Sequence, residues 1–277
     1  MEPALQRRVQ RFGWDKASSY YESFWQDQLR PAQNLLLDLA AVQRDEQVLD
    51  VACGTGLVSF QALKKLGEQG RLVGTDISDK MVALSSETAK YKKEKRANFE
   101  WMDAEDLQLE NDSFDLAICS LGLMYMPDPK KALEEMRRVL RPGGRAVAAV
   151  WGAKEKCGWS GIFDIVDRHV SSEVCPKFFH LGNPHMLELH FKAAGFNHVS
   201  FRRIRTVLYY EDEQEALGAA FIGGPVAFAY QKFSDTVKKE IHREYLRSLR
   251  PYRKGESYEV PAVFVVARGY KSDSASN

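Results

Sequence analysis

The sequence has no long apolar run: nowhere along its 277 residues do the roughly 18 that a membrane-spanning helix requires stand together. Its first residues, MEPALQRRVQRFGWDKASS, mix charged and apolar side chains and lack the apolar core of a secretory signal peptide. We therefore expect no transmembrane segment and a cytoplasmic location.

Cysteine is scarce and irregularly spaced. Cys53, Cys119, Cys157 and Cys175 form no CxxC pair and no regular spacing with histidine. Disulfide frameworks and zinc sites both depend on such spacing. We therefore predict four reduced thiols and no metal site.

An excess of charge of one sign is also missing, because 39 Lys and Arg residues oppose 38 Asp and Glu residues, for a net charge of +1. Proteins that modify nucleic acids usually present a basic face. The balance therefore argues for a small-molecule partner and against a nucleic acid. Oligomeric state cannot be inferred from these features.

From about residue 46, short apolar runs alternate with helical patterns. The runs are QVLDVAC, RLVGTD, ANFEWMDA, SFDLAICS and GRAVAAVW. Such alternation is typical of a parallel sheet wound with helices on both faces. We predict one helix over Leu57–Leu66 and two more that begin after Ser78 and after Asp128. Ser78 and Asp128 are the predicted N-caps of those two helices.

The second half of the chain is less regular. Asn183-Pro184 begins a predicted helix that stops at Gly195, and FNHVSFRRIRTVLYY is a predicted strand. Residues 211–250 have a helical pattern, and YEVPAVFVVARGY is a predicted final strand. Because no repeat or low-complexity linker interrupts the chain, we predict a single domain over 1–277.

The segment VLDVACGTGLVSF is a buried strand, a glycine turn and a helix in succession. Gly54 and Gly56 would let the backbone approach a ligand closely, and the start of the helix would present free N–H groups. Taken alone, the motif is also compatible with a tight turn that has only a structural role.

A carboxylate follows at the end of the next strand, in Gly74-Thr75-Asp76. An acid at that position can accept hydrogen bonds from ribose hydroxyls in nucleotide-binding sheets. The alternative is a helix cap, but Ser78 already fills that role.

Five segments, in this order, resemble class I S-adenosylmethionine-dependent methyltransferases: LDVACGTG, GTDIS, MDAEDL, FDLAICSLGLMYMPDP and MRRVLRPGGRAVAAVW. Within that family they resemble the ubiquinone/menaquinone biosynthesis group, methyltransferase type 11. The one departure is Ala52, where glycine is more frequent. The resemblance implies an α/β fold: a doubly wound, Rossmann-like, seven-stranded and mostly parallel sheet with helical lid insertions.

The resemblance also implies cofactor contacts, residue by residue. Asp50, Ala52, Gly54 and Gly56 would line the methionine moiety, Asp76 would bind the ribose, Ile77 and Met81 would flank the adenine, Asp103 would accept from the adenine amino group with Ala104 beside it, and Ser120 and Leu121 would lie under the cofactor. Tyr20 and Trp25, with Tyr21 between them, would fold over the cofactor, although packing within a lid helix explains these aromatics equally well.

The implied activity is direct displacement, in which a small acceptor takes the methyl group of S-adenosylmethionine and S-adenosylhomocysteine leaves. We expect N-terminal lid helices over 1–45, a cofactor-binding core over 46–151, and an acceptor-side half over 152–277. Helical insertions at 152–182 and 211–250 would enclose an apolar or aromatic acceptor, together with residues 12–30. We assign no catalytic residue, because a base is needed only if the acceptor keeps a proton.

Three alternatives compete with this interpretation. A sensor or assembly protein would bind the cofactor without transferring its methyl group. An NAD-dependent oxidoreductase would share the glycine turn, but the pair Asp103-Ala104 disfavours it. A base-modifying enzyme would need an Asn/Asp-Pro-Pro-aromatic motif, where this chain has Ser120-Leu121-Gly122-Leu123.

Overall fold

The computed structural model describes residues 2–171 and 175–273, in which helices cover a twisted sheet. The helices are α1 Pro3–Ala40, α2 Leu57–Leu63, α3 Asp79–Tyr91, α4 Pro129–Val139, α5 Gly161–Asp167, α6 Met186–Ala193, α7 Glu213–Phe221, α8 Ala227–Tyr230 and α9 Asp235–Leu249. The strands are β1 Gln47–Val51, β2 Arg71–Asp76, β3 Ala97–Trp101, β4 Phe114–Ser120, β5 Leu140–Trp151, β6 Asn197–Tyr210, β7 Arg253–Lys254 and β8 Ser257–Tyr270.

The sheet has the strand order β3-β2-β1-β4-β5-β8-β6. The first five strands in this order are parallel, and β8 runs antiparallel to both β5 and β6. The two-residue β7 pairs only with β8 along the described chain. The predicted seven-stranded, mostly parallel sheet is therefore confirmed, with this short hairpin strand in addition.

The strand order reverses between β1 and β4. Doubly wound sheets bind ligands at the carboxyl edge beside such a reversal. The strands at this position, β1 and β4, are buried along almost their whole length. Their apolar sequences follow from that burial, because helices cover both faces of a parallel sheet.

The helix starts agree with the sequence. The side chain of Ser78 accepts a hydrogen bond from the N–H of Met81, and that of Asp128 accepts one from the N–H of Lys131. Each cap satisfies a backbone donor that the first helical turn leaves free. The helix that begins at Leu57 ends earlier than predicted, at Leu63 instead of Leu66. The chain turns there because the N–H of Gly67 donates to the carbonyl of Arg44.

The predicted N-terminal lid helices are one 38-residue helix, α1, which continues through Pro31. It contacts α3, α8 and the strands β4, β5, β6 and β8, so it crosses a large part of the sheet. Near its middle, the Gln28 side chain pairs with the backbone of Tyr209 on the edge strand β6. None of the helices in the described part of the chain is long and apolar enough to span a membrane.

Apolar side chains from α1 through the sheet to α9 form one continuous buried cluster, which includes Leu36, Val150 and Ile241. All four cysteines are buried and free of disulfides in the structure. The division of the chain into lid, core and acceptor-side half stays a prediction.

Candidate functional site

A cavity lies between α1 and the carboxyl edge of the sheet, with about 1010 Å³ of empty space, part of which is open to solvent. Each of the five parallel strands contributes wall residues at its end. These include Gly54 after β1, Asp76 on β2, Asp103 after β3, Ser120 on β4 and Trp151 on β5. The cavity therefore occupies the crevice at which the strand order reverses.

The loop after β1 approaches the cavity through its backbone. Gly54 has a φ of +57° and Ala52 one of +55°, in the left-handed region that favours glycine. The Ala52 methyl group is accommodated because residue 122 is glycine: a Cβ there would lie 2.5 Å from the Ala52 Cβ. The pair Ala52 and Gly122 thus explains how this chain tolerates alanine in the loop.

Asp76 joins this loop to the next strand. It is only 8% exposed, and its two oxygens accept hydrogen bonds from the N–H groups of Gly54 and Ser78, each at 2.9 Å. Burial raises the pKa of Asp76 to about 6, although these backbone bonds oppose the shift. Because a carboxylate oxygen has two lone pairs, each can still accept from a ligand hydroxyl.

Asp50 and Gly56 do not reach the cavity wall. Asp50 is 1% exposed and accepts a 2.5 Å hydrogen bond from the Ser59 hydroxyl, and burial raises its pKa to about 7. Gly56 is the N-cap of α2, where a Cβ would lie 2.7 Å from the Phe60 ring. Both residues therefore stabilise the loop after β1 without lining the cavity.

The acid after β3 is paired with α1. The Arg7 Nε lies 2.7 Å from the Asp103 Oδ2, and the same guanidinium contacts Glu105. Glu105 in turn accepts a 2.9 Å hydrogen bond from the N–H of Asp128, at the start of α4. Arg7 therefore connects the lid helix to the loop at the β3 end of the cavity.

One face of α1 forms the roof, through Arg7, Gln10, Trp14, Tyr21, Trp25 and Leu29. Tyr20 is 49% exposed and is not part of this wall, and its contact with a cofactor stays a prediction. Successive residues on a helix point about 100° apart, so Tyr21 occupies the cavity position instead. Its Cε1 lies 4.0 Å from where a Gly54 Cβ would be.

The β5 end of the cavity is aromatic. Trp25, Trp151 and Trp159 contact one another, with ring centroids 4.8 to 6.1 Å apart. Trp159 comes from residues 152–182, and Pro225, another wall residue, comes from residues 211–250. Other aromatics of these segments pack inside the fold, as Phe221 does against Tyr245.

Three uncharged residues of the cavity wall each have a buried polar atom without a hydrogen-bond partner in the described structure. They are the Ser120 Oγ, the Trp25 Nε1 and the Trp159 Nε1. Since buried polar groups are nearly always hydrogen-bonded, three exceptions in one cavity indicate a ligand site.

Ten of the residues predicted to contact a cofactor lie together in this wall: Ala52, Gly54, Trp25, Asp76, Ile77, Met81, Asp103, Ala104, Ser120 and Leu121. Their contact with a cofactor stays a prediction. Sequence reasoning missed Arg7, Gln10 and Tyr125 in the wall. The seven-residue spacing of Arg7, Trp14 and Tyr21 was a usable signal, because seven residues are two turns of a helix.

The strand order, the reversed β8 and the site at the carboxyl edge define the class I, Rossmann-like methyltransferase fold. The solved structure of the YcgJ protein from Bacillus subtilis has this fold and is similar, with a TM-score of 0.62 and 18% identity over 88% of this chain and 100% of its own. Residues 43–167 match the model of a family described as a methyltransferase domain.

Two curated relatives agree with that match. This chain is 32% identical over 143 residues to a demethylmenaquinone methyltransferase of Listeria welshimeri, covering 52% of this chain and 60% of the relative. It is also 32% identical over 139 residues to the ubiquinone/menaquinone biosynthesis C-methyltransferase UbiE of Serratia proteamaculans, covering 50% and 55%. The chain thus spans little more than half the length of these relatives. The predicted resemblance to the class I methyltransferases is confirmed, and residues 43–167 are the part of the chain that matches a methyltransferase domain.

Proposed function

We propose that this protein transfers the methyl group of S-adenosylmethionine to a small, largely apolar or aromatic acceptor. The observation that carries the proposal is the hydrogen bond from the Gly54 N–H to Asp76, which joins the loop after β1 and the acid of β2 into one surface. A nucleoside bound through its ribose at Asp76 would place a substituent on the ribose beside this loop.

The residues present fit the cofactor. Asp76 can accept from both ribose hydroxyls, and Asp103 can accept from the adenine amino group. Ile77 and Met81 line the same end of the cavity and offer apolar contact to a flat base. Tyr21 lies close to Gly54, and the two residues would together line the methionine portion. Bound S-adenosylmethionine supplies an activated sulfonium methyl group.

The acceptor belongs at the opposite end, beyond β4 and β5. Neighbouring strands lie about 4.8 Å apart, so the end of β5 is about 10 Å from the loop after β1. Trp151 and Trp159 there, with Trp25 and Leu29 of α1, form a wall of apolar groups. The names of the two relatives, which refer to demethylmenaquinone and ubiquinone/menaquinone, support an aromatic acceptor.

The protein's part in the reaction is to hold the acceptor in line with the methyl group and to exclude water. Orientation at near-attack distance and a dry pocket lower the barrier without covalent catalysis. Buried aromatic side chains at the β5 end supply that dry surface. We assign no general base. We further assign residues 1–45 to a lid, 46–151 to cofactor binding and 152–277 to the acceptor side. We also propose that the protein is cytoplasmic and that its substrate is not a nucleic acid.

Calorimetry with S-adenosylmethionine, S-adenosylhomocysteine and NAD tests the cofactor. We expect both adenosyl compounds to bind and NAD not to bind, and tighter NAD binding would overturn the proposal. Incubation with methyl-labelled cofactor and a metabolite extract then tests transfer. Label in a small apolar product supports the proposal, whereas saturable binding without transfer supports a sensor.

A further inference from the structure

Two tryptophans at the aromatic end of the cavity have indole N–H groups without a partner in the described structure. Trp25 lies on α1 and is 5% exposed, and Trp159 lies just before α5 and is 3% exposed. Their ring centroids are 6.0 Å apart, and both residues line the cavity. Two separate segments of the chain thus bring two indole rings, each with an unpartnered N–H donor, next to each other in the cavity wall.

The surroundings of these donors are apolar. Trp159 contacts Trp151, Phe163 and Phe178 through its ring, and Trp25 contacts Trp151. An indole N–H can only donate a hydrogen bond, and buried tryptophans usually find an acceptor for it. A buried donor without one destabilises the protein, so this pair is explained if a ligand completes it.

We propose that Trp25 and Trp159 determine acceptor specificity by donating their indole N–H groups to an oxygen of the acceptor. This inference rests on the proposed function, since it concerns the acceptor end of that site. The acceptor is then a flat apolar molecule that carries a carbonyl, hydroxyl or phenolate oxygen. A protonated amine is disfavoured, because its N–H groups would face two further donors.

The first test uses 1-naphthol and naphthalene as probes, which share a ring system and differ by one oxygen. Both are titrated into nitrogen-15-labelled protein saturated with S-adenosylhomocysteine. The five tryptophans give five indole N–H signals, assigned by single Trp→Phe variants. We expect 1-naphthol to move the indole proton signals of Trp25 and Trp159 downfield, and naphthalene to move them much less.

Trp101 is the internal reference. It is 49% exposed, lies outside the cavity wall, and donates its Nε1–H to the Ile77 carbonyl at 2.8 Å. Its signal should stay in place with either probe. Equal shifts of Trp25 and Trp159 with the two probes, or binding of neither probe, would overturn the proposal.

The second test compares Trp25→Phe and Trp159→Phe, which keep an aromatic ring and remove the donor. We expect each to weaken 1-naphthol binding about fivefold, the usual effect of one hydrogen bond, and to change naphthalene binding less than twofold. Trp101→Phe should leave both affinities unchanged. If a variant does not fold, 3-benzothienylalanine at the same position removes the N–H with little change of shape.

S-adenosylhomocysteine affinity is measured in every variant. Wild-type protein that does not bind S-adenosylhomocysteine refutes the proposed function. Normal S-adenosylhomocysteine binding together with unchanged 1-naphthol affinity in both variants refutes only the role of the two tryptophans.

Discussion

The two ends of the cavity are built differently. The polar end, around Gly54, Asp76 and Asp103, comes from the carboxyl ends of three consecutive strands, and its contacts are hydrogen bonds and ion pairs. The aromatic end, around Trp25 and Trp159, comes from α1, β5 and later segments, and its contacts are between rings. Under the proposed function, a short stretch of chain would suffice to recognise a nucleoside, whereas the acceptor surface would require the whole fold. If so, substitutions at one end should leave binding at the other end intact.

The largest effect is expected for Gly54→Val at the polar end. The substitution forces a β-branched residue into a φ of +57° and fills the space before Tyr21, so cofactor affinity should fall more than a hundredfold. Calorimetry with S-adenosylhomocysteine measures it.

Gly255→Val is the matched control, because Gly255 has a φ of +67° and a Cβ there would contact nothing within 4 Å. It imposes the same backbone strain away from the cavity and should retain cofactor binding. If Gly54→Val folds and binds S-adenosylhomocysteine with normal affinity, the loop after β1 is not part of the cofactor site.

Asp76→Asn should lower cofactor affinity about a hundredfold, the effect of losing two hydrogen bonds to a charged acceptor. The amide nitrogen would also face an N–H group of Gly54 or Ser78. Asp79→Asn, three residues later with a side chain 54% exposed, should bind normally. Equal affinities of the two variants would contradict the ribose role.

Cofactor affinity should depend on pH at the polar end. Burial raises the pKa of Asp76 to about 6, so this carboxyl group is largely protonated at pH 5 and largely ionised at pH 7. Because the cationic cofactor favours the ionised form, binding releases protons and affinity rises with pH. From pH 7 to pH 5, S-adenosylmethionine should bind about tenfold more weakly. Asp76→Asn should flatten the profile, and a flat profile in the wild type would argue against a cationic ligand here.

The smallest effect concerns the roof over the polar end. Arg7→Gln removes the ion pairs with Asp103 and Glu105 that hold α1 to the β3 loop. The pair with Asp103 is partly exposed and contributes about 1 kcal/mol at most, and buried Glu105 keeps its hydrogen bond from the Asp128 N–H. Cofactor dissociation should therefore accelerate only severalfold. Stopped-flow displacement measures the rate, with the exposed Arg8→Gln as the control. An unchanged rate would show that α1 does not retain the ligand.

Much of the polar end could be predicted because its determinants are local. Gly54, Asp76 and Asp103 each lie at or just beyond the carboxyl end of a predicted strand, so the parallel sheet brings them to one edge. Asp50 and Gly56 belong to the same motif, but whether a motif residue faces the ligand or supports the loop depends on the local turn. The contact of Asp50 with Ser59 on α2 settled that question only in the structure.

The sequence by itself determined the parallel sheet, the capped helices after Ser78 and Asp128, and the carboxyl edge as the site, because these follow from periodicity and from interactions a few residues apart. Only the tertiary structure decided which aromatics form the aromatic end of the cavity and that Tyr21, rather than Tyr20, faces the cavity. Aromatic residues suit a core and a pocket equally well, so their role depends on what packs against them. The pairing of Trp25 with Trp159 joins segments 134 residues apart in the chain, and only the folded arrangement of α1 over β5 brings them together.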